Sequence, residues 1–252
     1  MKKMIFEMDG KKVTKEEIDL WELKRLKKEY RFLKRRGFKF SEKFKSSLEE
    51  RNIDEARKEL ALLKTTYSPN VFRKLLRKKY ILGNFASRIA VSLTTKRKYS
   101  IVDIVIPYSS KSPEEVMDSI KKIMLQNTKQ HLYINLSTTP DHFVLVSTAE
   151  NIQEVLEVTG GSPLPNHFFA HYGDEKGLTS VLSEGFTVQA PGTARLKDGT
   201  IIGGVRHQIK KEFNGLRFRA LVEFPSLVPN YMIKKHQYHL ACEFRQWLSY
   251  SS

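Results

Sequence analysis

"TTKRKYSIVDIVIPY", residues 94–108, is the stretch in which the character of the chain changes. Before it, the sequence is basic and its apolar residues have the three-to-four spacing of amphipathic helices. From Tyr99 onward β-branched residues dominate, and Pro107 ends the run, which is typical of a strand. We therefore predict a boundary here, between an α-helical module over residues 1–98 and an α+β globular part.

The excess positive charge lies entirely on the N-terminal side of this boundary. Residues 1–98 contain 29 Lys and Arg against 13 Asp and Glu, whereas residues 99–252 contain 15 of each, so the whole net charge of +16 belongs to the first part. A basic module beside a neutral one is typical of proteins that bind a polyanion, most often nucleic acid. A membrane surface and a solvated helical face are the alternatives.

The basic module is predicted to consist of helical hairpins. A first helix covers residues 14–36 and ends at Gly37, a second covers 41–50, a third begins at Asn52, and a short basic helix follows Pro69. Phosphate contacts, largely independent of base sequence, are expected from the basic side chains of these helices. The candidates are Lys24, Arg25, Lys27, Lys28, Arg31, Lys34, Arg35, Arg36, Arg73, Lys74, Arg77, Lys78 and Lys79.

Residues 99–161 are predicted to form a small β-α-β-β-α intermediate domain. Its first helix begins at Ser112-Pro113, which offer a cap and a first-turn proline. Two strands follow over 131–138 and 142–148, and a second helix over 149–161 ends at a pair of glycines.

Residues 162–252 are predicted to form a strand-rich C-terminal domain. We expect a strand over 167–172, a helix over 177–185, a hairpin turning at Asp198-Gly199 and a strand over 216–224. A loop containing Pro225 and Pro229 should follow. Residues 237–248 then close the domain as a strand or a strand-to-helix element.

Strong catalytic motifs are absent from the sequence. There is no phosphate-binding glycine loop, no dinucleotide fingerprint and no His-Glu-x-x-His. His236 and His239 are three residues apart, but their segment is predicted to leave a loop and enter a strand, so no metal site is expected. The single cysteine, Cys242, has no disulfide partner and an apolar context, which indicates a small buried residue. No run is long and apolar enough for a membrane span, and a cytoplasmic protein is expected.

The stretch "HFFAHYGDEKGLTSVLSEGF", residues 167–186, resembles the first motif of ADP-ribosyltransferase-like folds, in which a strand ends at a His beside a Gly and a short helix follows. The resemblance implies an NAD-dependent transferase in which His171 binds the nicotinamide ribose and Glu243, or less well Glu223, orients the acceptor. The sequence departs from that pattern, because His-Tyr-Gly replaces the usual His-Gly-Thr and no second motif follows. A strand–turn–helix scaffold with a partly exposed His is the alternative.

Most of residues 15–160, with the basic segments "LKKEYRFLKRRGF" and "IDEARKELALLKTTYSPNVFRKL" and the β-α-β middle, resembles the terminal proteins of protein-primed DNA phages. This resemblance implies that a hydroxyl side chain receives the first nucleotide from a partner DNA polymerase, whose divalent metal ions supply the catalysis. The protein then needs no cofactor of its own. Tyr231 suits the primer best, because prolines flank it in a predicted loop; Ser109, Ser110 and Tyr250 are further candidates.

The sequence therefore predicts a DNA-binding protein of a phage or mobile element, which acts as a primer of linear DNA replication. It would lie in the host cytoplasm, with the nucleoid, or packaged with the genome in a virion. The alternatives are an ADP-ribosyltransferase-like enzyme with a basic targeting module, and a structural DNA-binding protein without catalysis.

Overall fold

One antiparallel sheet of nine strands organises the chain, with the strand order β2-β1-β3-β9-β8-β7-β6-β5-β4. The structure is a computed structural model that describes residues 4–251. The strands are β1 Ile5–Met8, β2 Lys11–Val13, β3 Arg97–Ile106, β4 His142–Ala149, β5 Ile152–Glu157, β6 Asn166–Tyr172, β7 Val188–Arg195, β8 Ile201–Glu212 and β9 Gly215–Pro225. The helices are α1 Lys15–Lys34, α2 Glu42–Glu49, α3 Ile53–Thr65, α4 Pro69–Leu93, α5 Pro113–Leu125, α6 Lys129–Ser137 and α7 Asn230–Ser251. The predicted α+β class, with a strand-rich C-terminal part, is confirmed.

The N-terminal helices begin where the sequence places their caps. Thr14 and Glu17 form a capping box at α1, and Ser41, Asn52 and Ser68 cap α2, α3 and α4. These local signals do not depend on tertiary structure, which explains why the predicted helices of this part begin where the observed ones do. The helix after Pro69, predicted to be short, continues for 25 residues to Leu93.

Strands from all three predicted domains lie in the one sheet. β1 and β2 come from residues 1–98 and occupy one edge, and β4 and β5 come from 99–161 and occupy the other. Apolar residues of α1 to α4 share a core with β4 and β5, including Leu26, Phe72 and Phe143. The division into three domains stays a prediction, and the helices of the first segment pack against the sheet.

The second hydrophobic core lies where α7 packs on the sheet. Its members include Val102 and Ile104 of β3, Phe218 of β9, and Phe244 and Trp247 of α7. α7 also contacts α1, α5 and α6. This long helix is therefore enclosed by protein along most of its length.

Four of the predicted elements are wrong. Residues 131–138, predicted as a strand, lie mostly in α6, which Thr128 caps, and the helix predicted over 149–161 is replaced by β5 and a 3-10 turn at Thr159–Gly161. β5 pairs with β4 on one side and β6 on the other, so sheet pairing overrides a local pattern that favours helix.

Residues 177–185 do not form the predicted helix. The backbone nitrogens of Thr179 and Ser180 donate instead to the Glu223 carboxylate, at 3.1 and 2.8 Å, so a buried side chain satisfies groups that a helix would have paired. The loop predicted after Pro225 and the strand or strand-to-helix element predicted over 237–248 are one helix, α7, from Asn230 onward. Thirteen residues of α7 are buried, and a helix that is buried on most sides has no apolar stripe by which its sequence could be recognised.

A candidate metal centre and a basic groove

Four buried side chains converge where β4, β5 and α7 meet, and we call them the His/Glu cluster: His142, Glu157, His239 and Glu243. His142 begins β4 and Glu157 ends β5, and the two residues are directly paired in the antiparallel register. His239 and Glu243 are one helical turn apart on α7, so they lie on the same face of that helix. A strand pair and a helix turn therefore each supply one imidazole and one carboxylate.

Three separations between these side chains lie in the range of ligand–ligand distances around a metal ion. His142 Nε2 lies 3.2 Å from Glu157 Oε2 and 3.4 Å from Glu243 Oε1, and His239 Nε2 lies 3.7 Å from Glu157 Oε2. Ligands of a tetrahedral zinc ion, with bonds of about 2.0–2.1 Å, lie about 3.3 Å apart. The ligand atoms of His142, His239 and Glu243 all lie within 4.8 Å of one another.

Neighbouring groups orient the His142 ring toward the centre of the cluster. His142 Nδ1 lies 2.9 Å from Thr138 Oγ1 and 3.2 Å from the Asn135 carbonyl oxygen. A carbonyl accepts only, so this contact places a proton on Nδ1 and directs Nε2 toward Glu157 and Glu243. Among the described residues, His142 Nε2 is buried without a hydrogen-bond partner. A nitrogen in this position can serve as a ligand to a metal ion.

A buried carboxylate stands behind the second imidazole. Asp141 Oδ2 lies 3.7 Å from His239 Nδ1, and the carboxylate of Asp141 accepts from Arg25 Nε at 2.8 and 2.9 Å. Burial opposes ionisation of Asp141, but the charge and hydrogen bonds of Arg25 and His239 outweigh it and lower the pKa of the carboxyl. Asp141 thus presents a negative charge to His239 Nδ1, while His239 Nε2 faces Glu157. The carboxylate–histidine–metal arrangement has the same order of groups.

Lys64 stabilises the turn that carries Asp141 and His142 through hydrogen bonds to its backbone. The Lys64 side chain is 1% exposed, and its ammonium donates to the carbonyl oxygens of Pro140, at 2.7 Å, and His142. It also lies 4.4 Å from the centre of the Phe143 ring. This buried lysine therefore holds the backbone from which two groups of the site project.

The two carboxylates of the cluster differ in protonation. Burial opposes ionisation of Glu157, but the surrounding histidines outweigh it and lower its pKa to about 2. Burial raises the pKa of Glu243 to about 8, and the negative charge of Glu157 adds to this effect. Near neutral pH the pair therefore holds one charge and one proton, and a bound cation would take the place of that proton.

A third imidazole extends the cluster along α7. His236 stacks on His239, with ring centres 5.2 Å apart, and its ligand nitrogen belongs with Glu157 and His239 to a second group of three. Gly160 makes this approach possible, since a Cβ at that position would lie 2.8 Å from His236 Cβ and the backbone has a φ of 54°. Burial lowers the pKa of His236 to about 3, which keeps the ring neutral.

The His/Glu cluster forms the polar end of an apolar cavity of about 350 Å³. Glu157, His239 and Glu243 line the cavity, while His142 is not among its lining residues. The walls are mainly apolar and aromatic, and include Met124, Leu145, Val155, Phe168, Tyr172, Val222, Phe224, Met232, Ile233, Leu240 and Trp247. A cavity of this size and lining is typical of small-molecule sites.

A second concave surface lies on the N-terminal helices, and we call it the basic groove. It encloses about 570 Å³ and is lined by Lys24, Arg25, Lys28, Arg31, Phe32, Arg35, Arg36 and Lys79. Six of the predicted phosphate-binding side chains therefore face one groove together with Arg25. Arg25 is engaged by Asp141, and Arg73, another predicted contact, forms a two-point pair with Glu154 at 2.6 Å. Lys27, Lys34, Lys74, Arg77 and Lys78 do not line the groove.

The structure does not bring His171 and Glu243 together. The neighbours of His171 in β6, Ala170 and Tyr172, line the cavity with Glu243. Since alternate residues of a strand point to opposite faces, His171 lies on the other face, where Arg195 and Asp174 act on its charge. Glu223, the second candidate, lines the cavity and binds Thr179 and Ser180 through its carboxylate.

Tyr231 lies in the first turn of α7 and not in the loop predicted for it. Its side chain is 56% exposed, and the ammonium of Lys235, one turn further on, lies 5.1 Å from the ring centre. Tyr250 is also exposed, near the end of α7, and Ser109 lies between β3 and α5. Cys242 is buried, as predicted.

One signal for the metal centre is present in the sequence. His239 and Glu243 have the i, i+4 spacing that places two ligands on one helix face, but this spacing has no such meaning in a strand, and the pattern over 237–248 favours a strand or a strand-to-helix element. His142 and Glu157 are fifteen residues apart in two strands, and no local pattern marks them.

No protein-family profile matches this chain, and a search of curated proteins found no significant match. Within residues 4–251, no helix combines the length and apolar character needed to cross a membrane.

Proposed function

We propose that the protein is a metal-dependent hydrolase that acts on a small, largely apolar molecule containing a carbonyl group. The observation that supports this most is the convergence of two imidazoles and two carboxylates at the wall of an apolar cavity, with separations of 3.2, 3.4 and 3.7 Å. Two His and two Glu suit a divalent transition metal, with zinc favoured by the tetrahedral spacing.

The cavity supports an apolar substrate. Its polar groups are concentrated at the cluster and at Gln153, Asn166, His207 and Glu223, whereas aromatic and aliphatic side chains form the remaining wall. Because Glu157, His239 and Glu243 face the cavity, a substrate would reach the metal from that side. A bound metal would polarise the carbonyl and lower the pKa of a bound water, which is the chemistry of metal-assisted hydrolysis.

The residues of the cluster would have different roles in metal binding and hydrolysis. His142, His239 and Glu243, whose ligand atoms lie within 4.8 Å of one another, would hold the metal, and Asp141 and the Asn135 carbonyl would orient the two rings. Glu243, whose pKa is raised to about 8, would give up its proton when the metal binds, and Glu157 would add a negative charge beside the two imidazoles. The apolar walls exclude bulk water and hold the substrate against the cluster.

Metal analysis of the purified protein tests the site directly. We expect one zinc ion per chain, removable by a chelator and restored by added zinc, and its loss in His239→Ala. Tyr231→Phe, an exposed change at the other end of α7, serves as the control and should retain the metal. A wild-type protein that binds neither zinc, manganese, iron(II), cobalt nor nickel at micromolar concentration would rule the proposal out.

The reaction class is tested by screening hydrophobic esters, lactones and amides with the zinc-loaded protein. We expect hydrolysis of at least one compound that fits a cavity of about 350 Å³, with loss of activity in Glu243→Gln. A metal-loaded protein that hydrolyses none of them, while metal binding holds, would limit the conclusion to a metal-binding protein.

The protein-priming and ADP-ribosyl-transfer functions stay predictions. Priming requires an accessible hydroxyl, and the exposure of Tyr231 is compatible with that requirement. An adduct with a labelled nucleotide, formed by a partner polymerase and lost in Tyr231→Phe, would support it. NAD turnover lost in His171→Ala would support the transferase.

A further inference from the structure

The basic groove contains six cations without carboxylate partners. In the described part of the chain, no ion pair joins an acidic side chain to Lys24, Lys28, Arg31, Arg35, Arg36 or Lys79. The contrast with Arg25, Arg57 and Arg73 is clear, since each of those guanidiniums has at least one carboxylate partner. A group of like charges in one groove repels itself, and an anionic ligand would relieve that repulsion.

The spacing of these cations favours an extended anion. Lys24, Lys28, Arg31 and Arg35 follow one face of α1 at intervals of four, three and four residues. With a rise of 1.5 Å per residue, this row is about 16 Å long. A nucleic-acid strand carries a phosphate about every 3.4 Å along a duplex axis, so the row faces several phosphates at once. A single small anion would leave most of the row unpaired.

The end of α1 adds a planar cation and an aromatic ring to the groove, and α4 adds Lys79. The Arg36 guanidinium lies 3.8 Å and the Lys79 ammonium 5.0 Å from the centre of the Phe32 ring, on which they rest. Burial and the charge of Arg25 lower the pKa of Lys28, which is a sign of crowding by like charges. Arginine forks suit phosphate oxygens, and stacked guanidinium and aromatic planes suit unpaired bases.

From this groove we infer a binding site for the phosphodiester backbone of single-stranded nucleic acid, formed by α1 and α4. Phe32 lines the groove beside the cations, and an aromatic ring suits the unpaired bases of a single strand. The groove and the cavity share no lining residue, and this proposal does not rest on the proposed hydrolase function. Of the thirteen basic candidates of the N-terminal helices, six are assigned to this site. Arg25 also lines the groove, but its guanidinium is paired with Asp141.

Two double variants with equal charge change separate the groove from the general charge of the protein. Lys28→Glu with Arg31→Glu changes two groove residues of α1. Lys27→Glu with Lys34→Glu changes two exposed residues of the same helix that do not line the groove. Both pairs lower the net charge equally, and all four side chains are exposed, so both variants should fold. Lys79→Glu tests the opposite wall on α4.

Fluorescence anisotropy with a labelled oligothymidylate of about 15 nucleotides measures the affinity of each variant. We expect the groove pair to weaken binding at least about tenfold more than the control pair, and Lys79→Glu to weaken it as well. The slope of log K against log salt should fall by about 1.4 in the groove pair, because about 0.7 counterions are released per phosphate contact on a single strand.

Three results would overturn the proposal. The first is an equal loss of affinity in both double variants, which would mean attraction by net charge alone. The second is displacement of the oligonucleotide by an equimolar amount of inorganic phosphate, which would indicate a site for one phosphate group. The third is binding to vesicles of anionic phospholipid by a protein that does not bind the oligonucleotide.

Discussion

Two sets of charged side chains each include residues of α7, and they differ in how completely their members are paired. The first, which we call the Arg/Glu network, joins Glu22 to Arg57 and Arg245, with Asp19 and Asp54 at its ends. Glu22 Oε1 accepts from Arg57 at 2.5 Å and Oε2 from Arg245 at 2.6 Å, and each arginine reaches one further aspartate at 2.6 Å. Every carboxylate oxygen of Glu22 has its own guanidinium.

In the His/Glu cluster the groups face one another without completing such pairs. His142 Nε2 and His239 Nδ1 are buried without hydrogen-bond partners among the described residues, and Glu243 has a pKa of about 8. Burial of polar groups is costly, and natural cores pair them. The paired carboxylates of the network hold three helices together, although Arg245 Nε is also buried without a partner. In the cluster, His142 Nε2 faces two carboxylates that share one proton near neutral pH, which indicates a ligand site.

Zinc should stabilise the folded protein through the His/Glu cluster and not through the Arg/Glu network, and this is the largest effect that we expect. Saturating zinc, at a thousand times its Kd, should raise the free energy of unfolding of the wild-type protein by about 4 kcal/mol, because it binds the folded state alone. His239→Ala should lose this response. Thermal unfolding with zinc and with a chelator measures it. An equal response in His239→Ala would place the metal elsewhere.

Breaking the Arg/Glu network should lower the free energy of unfolding by the same amount with and without zinc. Glu22→Ala leaves Arg57 and Arg245 without their central partner, and removal of one member of a buried ion pair costs about 3–5 kcal/mol. Urea unfolding measures the change. Lys43→Ala is the matched control, because its pair with Glu55 is exposed and such pairs contribute about 1 kcal/mol or less. A cost below that of the control would contradict the structural role of Glu22.

Asp141 is a paired carboxylate beside the His/Glu cluster, because it accepts from Arg25 and faces His239. Asp141→Asn keeps the size of the side chain and removes the charge behind the imidazole. Changes in such orienting groups typically weaken metal binding about 10–100-fold. Competition with a coloured chelator measures the affinity of the folded variant. Asp174→Asn, at a pair on the opposite face of the sheet, should leave metal affinity unchanged, and an unchanged affinity in Asp141→Asn would remove Asp141 from the site.

The smallest effect concerns a paired carboxylate near the surface. Burial opposes ionisation of Glu154, but hydrogen bonds from His167 and Arg73 lower its pKa from 4.5 to about 2. A carboxyl whose pKa is lowered in the folded state adds stability above pH 4.5, and this contribution disappears as the pH falls toward about 2. We therefore expect Arg73→Met to be less stable than wild type by about 1 kcal/mol at neutral pH, with the difference shrinking below pH 4.5. Urea unfolding across this range measures it, and a difference that grows in acid would contradict the assignment.

Local signals explain what was predicted of the fold. Caps such as Thr14 and Ser112, the Asp198-Gly199 turn and the alternation over residues 216–224 act within a few residues, and the observed elements agree with them. β5 and α7 were mispredicted because their surroundings outweigh local preference: one is paired on both sides, and the other is enclosed on most sides.

The site was less accessible from sequence than the fold. Glu243 was named for a different chemistry, with His171 as its partner, and the structure gives it His142, Glu157 and His239 as neighbours instead. The basic candidates were identified as a class. Which of them share a groove depends on the rotation of α1 about its axis and on the position of α4 beside it.

The sequence alone determined the segregation of charge, the capped N-terminal helices and the α+β class, because composition, capping and alternation are local properties. Only the tertiary structure decided that β4 and β5 set His142 opposite Glu157 and that α7 brings His239 and Glu243 to the same point. Long-range sheet pairing and the packing of a buried helix bring together residues about a hundred positions apart. No periodicity in the sequence records such contacts, because the free energy that establishes them comes from burial and pairing between distant segments.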